Sequence, residues 1–249
     1  MGSTVCQAVA ADPDLELVGG VDPHHSGLEL SRVADVPGID VHVSGDPAAF
    51  LDAGADVVVD FTEASAARAN VAWAAEHGVH AVVGTSGFTD DDIATFRTAF
   101  TSSNCVIAPN FAIGAVLMIR FAELAARYFD TAEIVELHHD GKVDAPSGTA
   151  VHTAERMAAA SNRWAPDPTR SIVVEGARGA EASGIHVHSI RMRGMVAHQE
   201  VILGTTGQTL TIRHDSIDRT SFMPGVLLAI KAVGDHPGLT VGLDALLDL

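Results

Sequence analysis

The stretch ELHHDGKVDAPSGTA, from Glu136 to Ala150, sets two histidines, one lysine and three carboxylates beside a Ser-Gly-Thr sequence. A histidine titrates near neutrality and can give or take a proton, and a neighbouring ammonium can share that work. Ser147, Gly148 and Thr149 stand where a helix would open. Free N–H groups at a helix start attract anions, and glycine lets the backbone come close. Together these types suit proton donation to a small carboxylate-bearing substrate. Taken singly, His138 also fits a hydrogen-bonded core histidine and Ser147 an ordinary helix cap. A metal would have to draw on His138, His139, Asp140 and Asp144, but the H-x-x-x-H spacing is absent and no metal site is expected.

These side chains need elements to position them. AEIVELHH reads as a strand that delivers His138 and His139 to a loop, and neighbouring strand residues point to opposite faces, so one of the two faces a given pocket. Asp140-Gly141 reads as a turn that brings Lys142 back toward the strand end, and TAVHTAERMAAA as the helix behind it. Upstream, ADVVVDFT, VHAVVGTSG and NCVIAPNF are apolar, β-branched runs typical of buried strands. They alternate with the helices EASAARANVAWAAEHG, closed by Gly78, and FTDDDIATFRTAF, whose acidic first turn suits the helix dipole. Such alternation means right-handed β-α-β units and a parallel sheet. The opening STVCQAVAADPDLELVGGVD reads as a helix, a turn at Asp12–Asp14 and a short strand ending at Asp22.

After Phe111 the pattern changes. A long helix, AIGAVLMIRFAELAARYF, precedes the catalytic-looking strand, and SIVVEGARG, IHVHSIRM and HQEVILGTTGQTLTIRHD read as antiparallel strands, the last containing a hairpin around Thr205–Gln208. FMPGVLLAIKAV closes as a helix with Pro224 in its first turn. The expected plan is a parallel α/β domain over 1–111, an inserted domain with a mixed sheet over 112–219, and a helix and tail over 220–249 that return to the first domain.

Lys and Arg total 15 against 32 Asp and Glu, a net charge of −17 in 249 residues. A general nucleic-acid binder needs a broad basic surface, so nucleic acid is not expected as a partner. The same acidity makes a local basic cluster informative, because an anionic substrate must be drawn in against the overall field. The two cysteines, Cys6 and Cys105, form no C-x-x-C pair. No apolar run approaches the roughly 20 residues of a membrane span, which points to a soluble, cytoplasmic protein without a membrane partner.

The run E-L-H-H-x-x-K-x-D-A-P-S-G-T-A resembles the signature of the 4-hydroxy-tetrahydrodipicolinate (dihydrodipicolinate) reductase family of lysine and diaminopimelate biosynthesis. VVVDFT, AVVGTSGF and IAPNFAIGAVLM resemble the family's nucleotide-domain segments in order, and GARGAEASGIHVHSIRMRGMVAHQEVILGTTGQTLTIRHDSIDRTSF its substrate-domain core. The resemblance implies a Rossmann-like parallel-sheet nucleotide domain plus an α+β substrate and oligomerisation domain with a mixed open sheet. It implies NAD(P)H-dependent reduction of a small cyclic dicarboxylate, with NADH, NADPH or both as cofactor, in a homotetramer. By the same resemblance His138 is the catalytic acid/base and Lys142 its partner. His139, Gly148, Thr149 and, on a shorter motif, Arg219 hold the substrate carboxylates.

For the nucleotide, Gly84, Thr85 and Ser86, and Ala108, Pro109, Asn110 and Phe111, follow parallel strands, where open α/β sheets bind ligands. Asp22 lies roughly 20 residues after Gly2, the separation expected of an acidic ligand for the adenosine ribose. It favours NADH, whereas His24 and His25 suit a 2′-phosphate, and both cofactors stay open. The family begins with a strand and a V-x-G-A-x-G-R-M-G turn, of which Met1-Gly2 match only the last two residues. The first strand and the earlier glycines are expected to be missing, with Met1 an internal methionine of that turn. Two other readings stay open, a related amino-acid-type dehydrogenase and a non-catalytic binding or oligomer-forming relic.

Overall fold

The computed structural model describes residues 1–247. In chain order the elements are α1 (Gly2–Ala11), α2 (Leu30–Val33), α3 (Ala49–Asp52), β1 (Val57–Asp60), α4 (Ala64–His77), β2 (His80–Val83), α5 (Asp90–Ala99), β3 (Cys105–Ile107) and α6 (Ile113–Ala126). There follow β4 (Thr131–His138), α7 (Gly148–Ala160), β5 (Ala180–Ala182), β6 (Ile185–Arg191), β7 (Ala197–Thr205), β8 (Gln208–Ser216), α8 (Met223–Ala232) and β9 (Leu239–Val241). They divide into two compact units, one of Met1–Ile113 with the chain from Phe222 onward, the other of Gly114–Ser221.

In the first unit β1-β2-β3-β9 form a parallel sheet. Its strands are short apolar runs, VVVD, HAVV and CVI, and β3 is buried at every position, as strands covered on both faces must be. α4 stops at Gly78, whose φ of 71° is a left-handed conformation that glycine adopts without strain. α5 starts with a capping box in which Thr89 and Asp92 satisfy each other's backbone N–H groups. Val71, Ala74, Val83, Phe96, Phe100 and Cys105 fill the space between these helices and the sheet. The C-terminal edge of the sheet therefore presents the loops after Asp60, Val83 and Ile107 side by side.

The expected strand ending at Asp22 does not form. Val21 makes one isolated parallel bridge to Ser44, and the stretch before it has no strand partner among the described residues. A strand exists only through hydrogen bonds to a neighbour, and a cleft of about 960 Å³ lies between Leu15–Asp22, α1 and the edge of β1.

In the second unit the strand order is β5-β6-β4-β7-β8. β4 pairs antiparallel with β7 and parallel with β6, so the sheet is mixed. IHVHSIRM was expected to be antiparallel throughout; it is antiparallel only to β5. Its parallel pairing with β4 follows from the crossover through α7 and the loop beyond it, since parallel neighbours need such a connection. SIVVEGARG is not a strand: Ile172, Val173 and Val174 are exposed, and the segment is tied down instead by Arg178 to Glu133 and Asp167. One face of the sheet is covered by α6 and α7, which bury Met118, Ala122, Ile134, Met157, Val201 and Leu203 against each other.

Candidate functional site

Along β4 the side chains alternate, and Ile134, Glu136 and His138 share the face beneath α7. At the middle of these three the core continues inward, yet the residue is a carboxylate. Glu136 is fully buried, and a buried charge is tolerated only when paired and hydrogen-bonded. Its partners come from three elements. Arg191 at the end of β6 donates from both Nη atoms, at 2.8 Å each, in a bidentate pair. His138 Nδ1 lies 2.6 Å from Glu136 Oε2, and the Ser147 N–H donates to Oε1 at 3.2 Å. Burial works to raise the Glu136 pKa, but the hydrogen bonds from Arg191, Ser189 and His138 bring it below its ordinary 4.5. It is therefore an anion, and Nδ1 of His138 carries the proton between them.

His138 is half-buried at the strand end, and its Nε2 has no hydrogen bond among the described residues. Desolvation lowers its pKa below 6.5, with Lys142 and Arg191 pushing the same way and Glu136 opposing. His139 follows the strand end and is exposed. The turn after it is tight: the Lys142 N–H donates to the His139 carbonyl at 3.2 Å. Lys142 donates to both oxygens of Asp144, at 2.8 and 2.9 Å, and this pairing depresses the Asp144 pKa. Arg191 also donates to the Asp144 carbonyl at 2.7 Å, so the lysine-bearing loop hangs from the guanidinium that holds Glu136.

Ser147 caps α7 by accepting from the Ala150 N–H, which leaves the N–H groups of Gly148 and Thr149 at the helix start. Gly148 is exposed, and a Cβ there would meet nothing within 4 Å. Thr149 is held from behind: its carbonyl accepts from Thr153, whose hydroxyl accepts from Gln199 on β7. Arg219 is exposed at the start of a 3₁₀ turn (Arg219–Phe222) just after β8. The register aligns His138 with Ala197 and Ala197 with Ser216, so the end of β8 lies at the same sheet end as His138, two strand spacings or about 10 Å away. His138, Lys142, Gly148 and Thr149 are thus joined through Glu136 and Arg191, and Arg219 shares their end of the sheet without a hydrogen bond or ion pair to them among the described residues.

The residues expected at the nucleotide lie in the first unit. Gly2 opens α1, which has no side-chain cap and no acidic residue in its first turn, so its N–H groups are free to meet an anion. Asp22 accepts from the His24 N–H and from His25 Nδ1, both at 2.8 Å, and the His25 bond leads in lowering its pKa. Gly84 is required by packing, because a Cβ would come within 2.0 Å of the Phe61 ring. Thr85 is buried with its hydroxyl on Asp60 at 2.8 Å, and Ser86 is exposed. Ala108 is buried, Pro109 exposed, Asn110 accepts from the Ala112 N–H at 2.9 Å, and Phe111 stacks obliquely on Phe61 at 5.6 Å. Gly2 and Asp22 line the 960 Å³ cleft, as do Asp60 and Phe61, which bridge to the loops after β2 and β3.

Sequence reasoning did not single out Glu136, Arg191, Asp60 or Phe61. For Glu136 a signal existed, an acidic residue two before His138 on the inward face of an apolar strand. Among the described residues no group of three or more His, Cys, Asp or Glu is arranged to hold a metal ion. None of their helices is long and apolar enough to cross a membrane.

Comparison with known proteins agrees with this geometry. The family model "Dihydrodipicolinate reductase, N-terminus" matches residues 1–111, and "Dihydrodipicolinate reductase, C-terminus" matches 114–247. A 4-hydroxy-tetrahydrodipicolinate reductase of Mycobacterium sp. (strain KMS) is 50% identical over 254 residues, covering 100% of this chain and 95% of that protein. Another, from Nocardia farcinica (strain IFM 10152), is 50% identical over 256 residues with the same coverage. Among solved structures, the dipicolinate-bound dihydrodipicolinate reductase of Paenisporosarcina sp. TG-14 superposes with a TM-score of 0.86 at 38% identity, covering 98% of this chain and 94% of that one. An amine dehydrogenase from Mycobacterium smegmatis shares the fold alone, with a TM-score of 0.65 at 14% identity over 98% of this chain and 92% of that one.

Proposed function

Because the chain belongs to the dihydrodipicolinate reductase family, we propose that His138 and Lys142 supply the proton in its reaction. The reaction is the NAD(P)H-dependent reduction of 4-hydroxy-tetrahydrodipicolinate to tetrahydrodipicolinate with loss of water, a step of lysine and diaminopimelate biosynthesis. The observation that carries the proposal is the state of His138. Its Nδ1 is bound to a buried carboxylate, its Nε2 is unbonded, and it sits beside the opening of α7. That leaves one nitrogen aimed outward to hand over a proton, with an anion site next to it.

The Gly148 and Thr149 N–H groups, the Thr149 hydroxyl, His139 and Arg219 receive the two carboxylates of a small cyclic dicarboxylate. Lys142 exchanges its Asp144 partner for the substrate and balances charge at the reacting ring. The Gly148 and Thr149 donors are already fixed by α7 and, through Thr153 and Gln199, by β7, so little ordering of these groups remains when substrate binds.

The residues of the first unit fit a nicotinamide dinucleotide: an uncapped helix start with glycine first, an acid at Asp22, and strand-end loops at the edge where such sheets bind ligands. Gly2 would hold the pyrophosphate, Asp22 the ribose, and Gly84–Ser86 with Ala108–Phe111 the remainder. When bound, the reduced cofactor supplies a hydride to a ring carbon of the substrate. Asp22 receives the ribose hydroxyls of NADH, while His24 and His25 offer a partner to the 2′-phosphate of NADPH, so both cofactors serve. The protein works in the cytoplasm as a homotetramer. The sheet face away from α6 and α7 favours assembly, since it leaves Val135, Leu137, Ile190 and Ile202 only partly covered.

Inhibition by 2,6-pyridinedicarboxylate tests the substrate site. Thr149→Val removes a hydroxyl at constant shape and Arg219→Ala removes a charge; both should raise KM and weaken inhibition in parallel. Unchanged inhibition in both variants would place the pocket elsewhere.

A further inference from the structure

We propose that Glu136, held by Arg191, is the positioning residue of the reduction: it fixes the His138 imidazole and ties it in register with the anion-binding start of α7 and the Lys142 loop. The inference rests on the proton-donor reading of His138. Glu136 touches neither substrate nor cofactor, because it is fully buried. Its two oxygens accept hydrogen bonds from both Nη atoms of Arg191, from His138, from the Ser147 N–H and from the Ser189 side chain.

Each of those bonds has a geometric consequence. A carboxylate can only accept, so the His138 bond puts the proton on Nδ1 and directs Nε2 outward. The Ser147 bond pins the residue before Gly148 and Thr149, so the helix start cannot shift relative to the histidine. Arg191 lies opposite His138 in the β4–β6 register and extends a third link, to the Asp144 carbonyl of the loop that carries Lys142. One buried ion pair thus sets the mutual placement of proton donor, lysine and anion site.

The arrangement is costly unless it serves something. Apolar residues of similar volume in place of a buried ion pair are often neutral or stabilising, whereas loss of one partner is severe. His138, Ser189 and Gln199 adjoin Glu136 on the same face, but the core beyond them is apolar, with Ile134, Met157 and Val201, so an apolar residue in place of the ion pair would have continued that core.

The test uses the full-length protein with Glu136→Gln, Glu136→Asp and the double variant Glu136→Gln/Arg191→Met. The double variant removes both buried charges together and guards against the single change failing to fold. The charged groups facing His138 are Glu136, Lys142 and Arg191, with Asp144 on the far side of Lys142. Loss of the Glu136 charge removes the only one of these that favours protonated His138. For Glu136→Gln, kcat should fall on the order of 10- to 10⁴-fold, between the cost of losing the outer partner of a metal-bound histidine and that of losing the carboxylate of a catalytic triad. The alkaline limb of kcat/KM should also move to lower pH, because imidazolium has lost its counter-charge.

Glu136→Asp keeps the charge and should restore the position of that limb more than the rate. The double variant should fold and stay slow, with its limb between those of Glu136→Gln and the wild type, because the Arg191 charge that opposes imidazolium is gone as well. Wild-type turnover and an unmoved limb in a folded Glu136→Gln variant, or wild-type turnover in the folded double variant, would overturn the inference. So would a loss of rate with the limb unmoved, since that is what a merely structural role gives. Failure of the parent reading looks different: His138→Ala itself would then turn over normally.

Discussion

In the proposed reaction the chemistry comes down to one histidine with one nitrogen occupied. Burial holds the His138 pKa below its ordinary 6.5, so in the free enzyme the protonated form is lost as pH rises through that lowered value. We therefore expect the alkaline limb of kcat/KM below pH 6.5. The limb of kcat should lie higher, because a bound dianion favours imidazolium. Coincident limbs would show that the substrate does not touch the histidine. His138→Ala should lower kcat by roughly 10²–10⁴-fold, and Lys142→Ala similarly. The double variant should cost less than the two losses combined, because in the proposed reaction both residues serve one proton transfer. His138, Lys142 and the Ser-Gly-Thr start were legible because they lie within one short run of sequence. Arg191 was not, since it stands 55 positions from the Glu136 it pairs with and only the β4–β6 register brings them together.

At the scale of elements, what could be read locally was read well. VVVD, HAVV and CVI form the parallel sheet, Gly78 ends α4, and Thr89 with Asp92 opens α5. The Thr205–Gln208 turn joins β7 to β8. The failures share a cause. Leu15–Val21 and Ile172–Val174 have strand composition, but a strand needs an edge to pair with, and composition does not show which edges are free. Close approach of elements is equally non-local. Gly225 in α8 lies so near Phe111 that a Cβ would stand 2.1 Å from the Phe111 carbonyl oxygen and 2.9 Å from Leu243. Gly225→Ala must displace backbone, and overpacking of that kind costs about 1–3 kcal/mol. It should lower Tm and, by moving Phe111, raise the KM for NAD(P)H. A variant with unchanged Tm would mean that α8 yields without strain.

The molecule as a whole is an acidic protein whose stability depends on groups that resist protonation. His138 and His214 are depressed below 6.5 by burial. Their folded pKa values lie below the unfolded ones, so the unfolded chain binds more protons and stability falls as pH drops below about 6.5. Asp144 and Glu136, depressed from 3.8 and 4.5, extend the same trend to lower pH, so Tm should decline steadily on acidification without an intermediate rise. A Tm that climbed between pH 6.5 and 5 would contradict that sign. Light scattering at micromolar concentration should report a tetramer, and a stable monomer would refute assembly through the uncovered sheet face. The most direct measurement is the fall in reduced-nicotinamide absorbance when 4-hydroxy-tetrahydrodipicolinate is added to the wild-type protein and to His138→Ala with NADH or NADPH. The wild type should oxidise the cofactor in step with formation of tetrahydrodipicolinate, and His138→Ala should bind 2,6-pyridinedicarboxylate yet turn over at least 100-fold more slowly, the lower bound for loss of a general acid. Equal turnover by the two proteins would contradict the assignment of the proton donor.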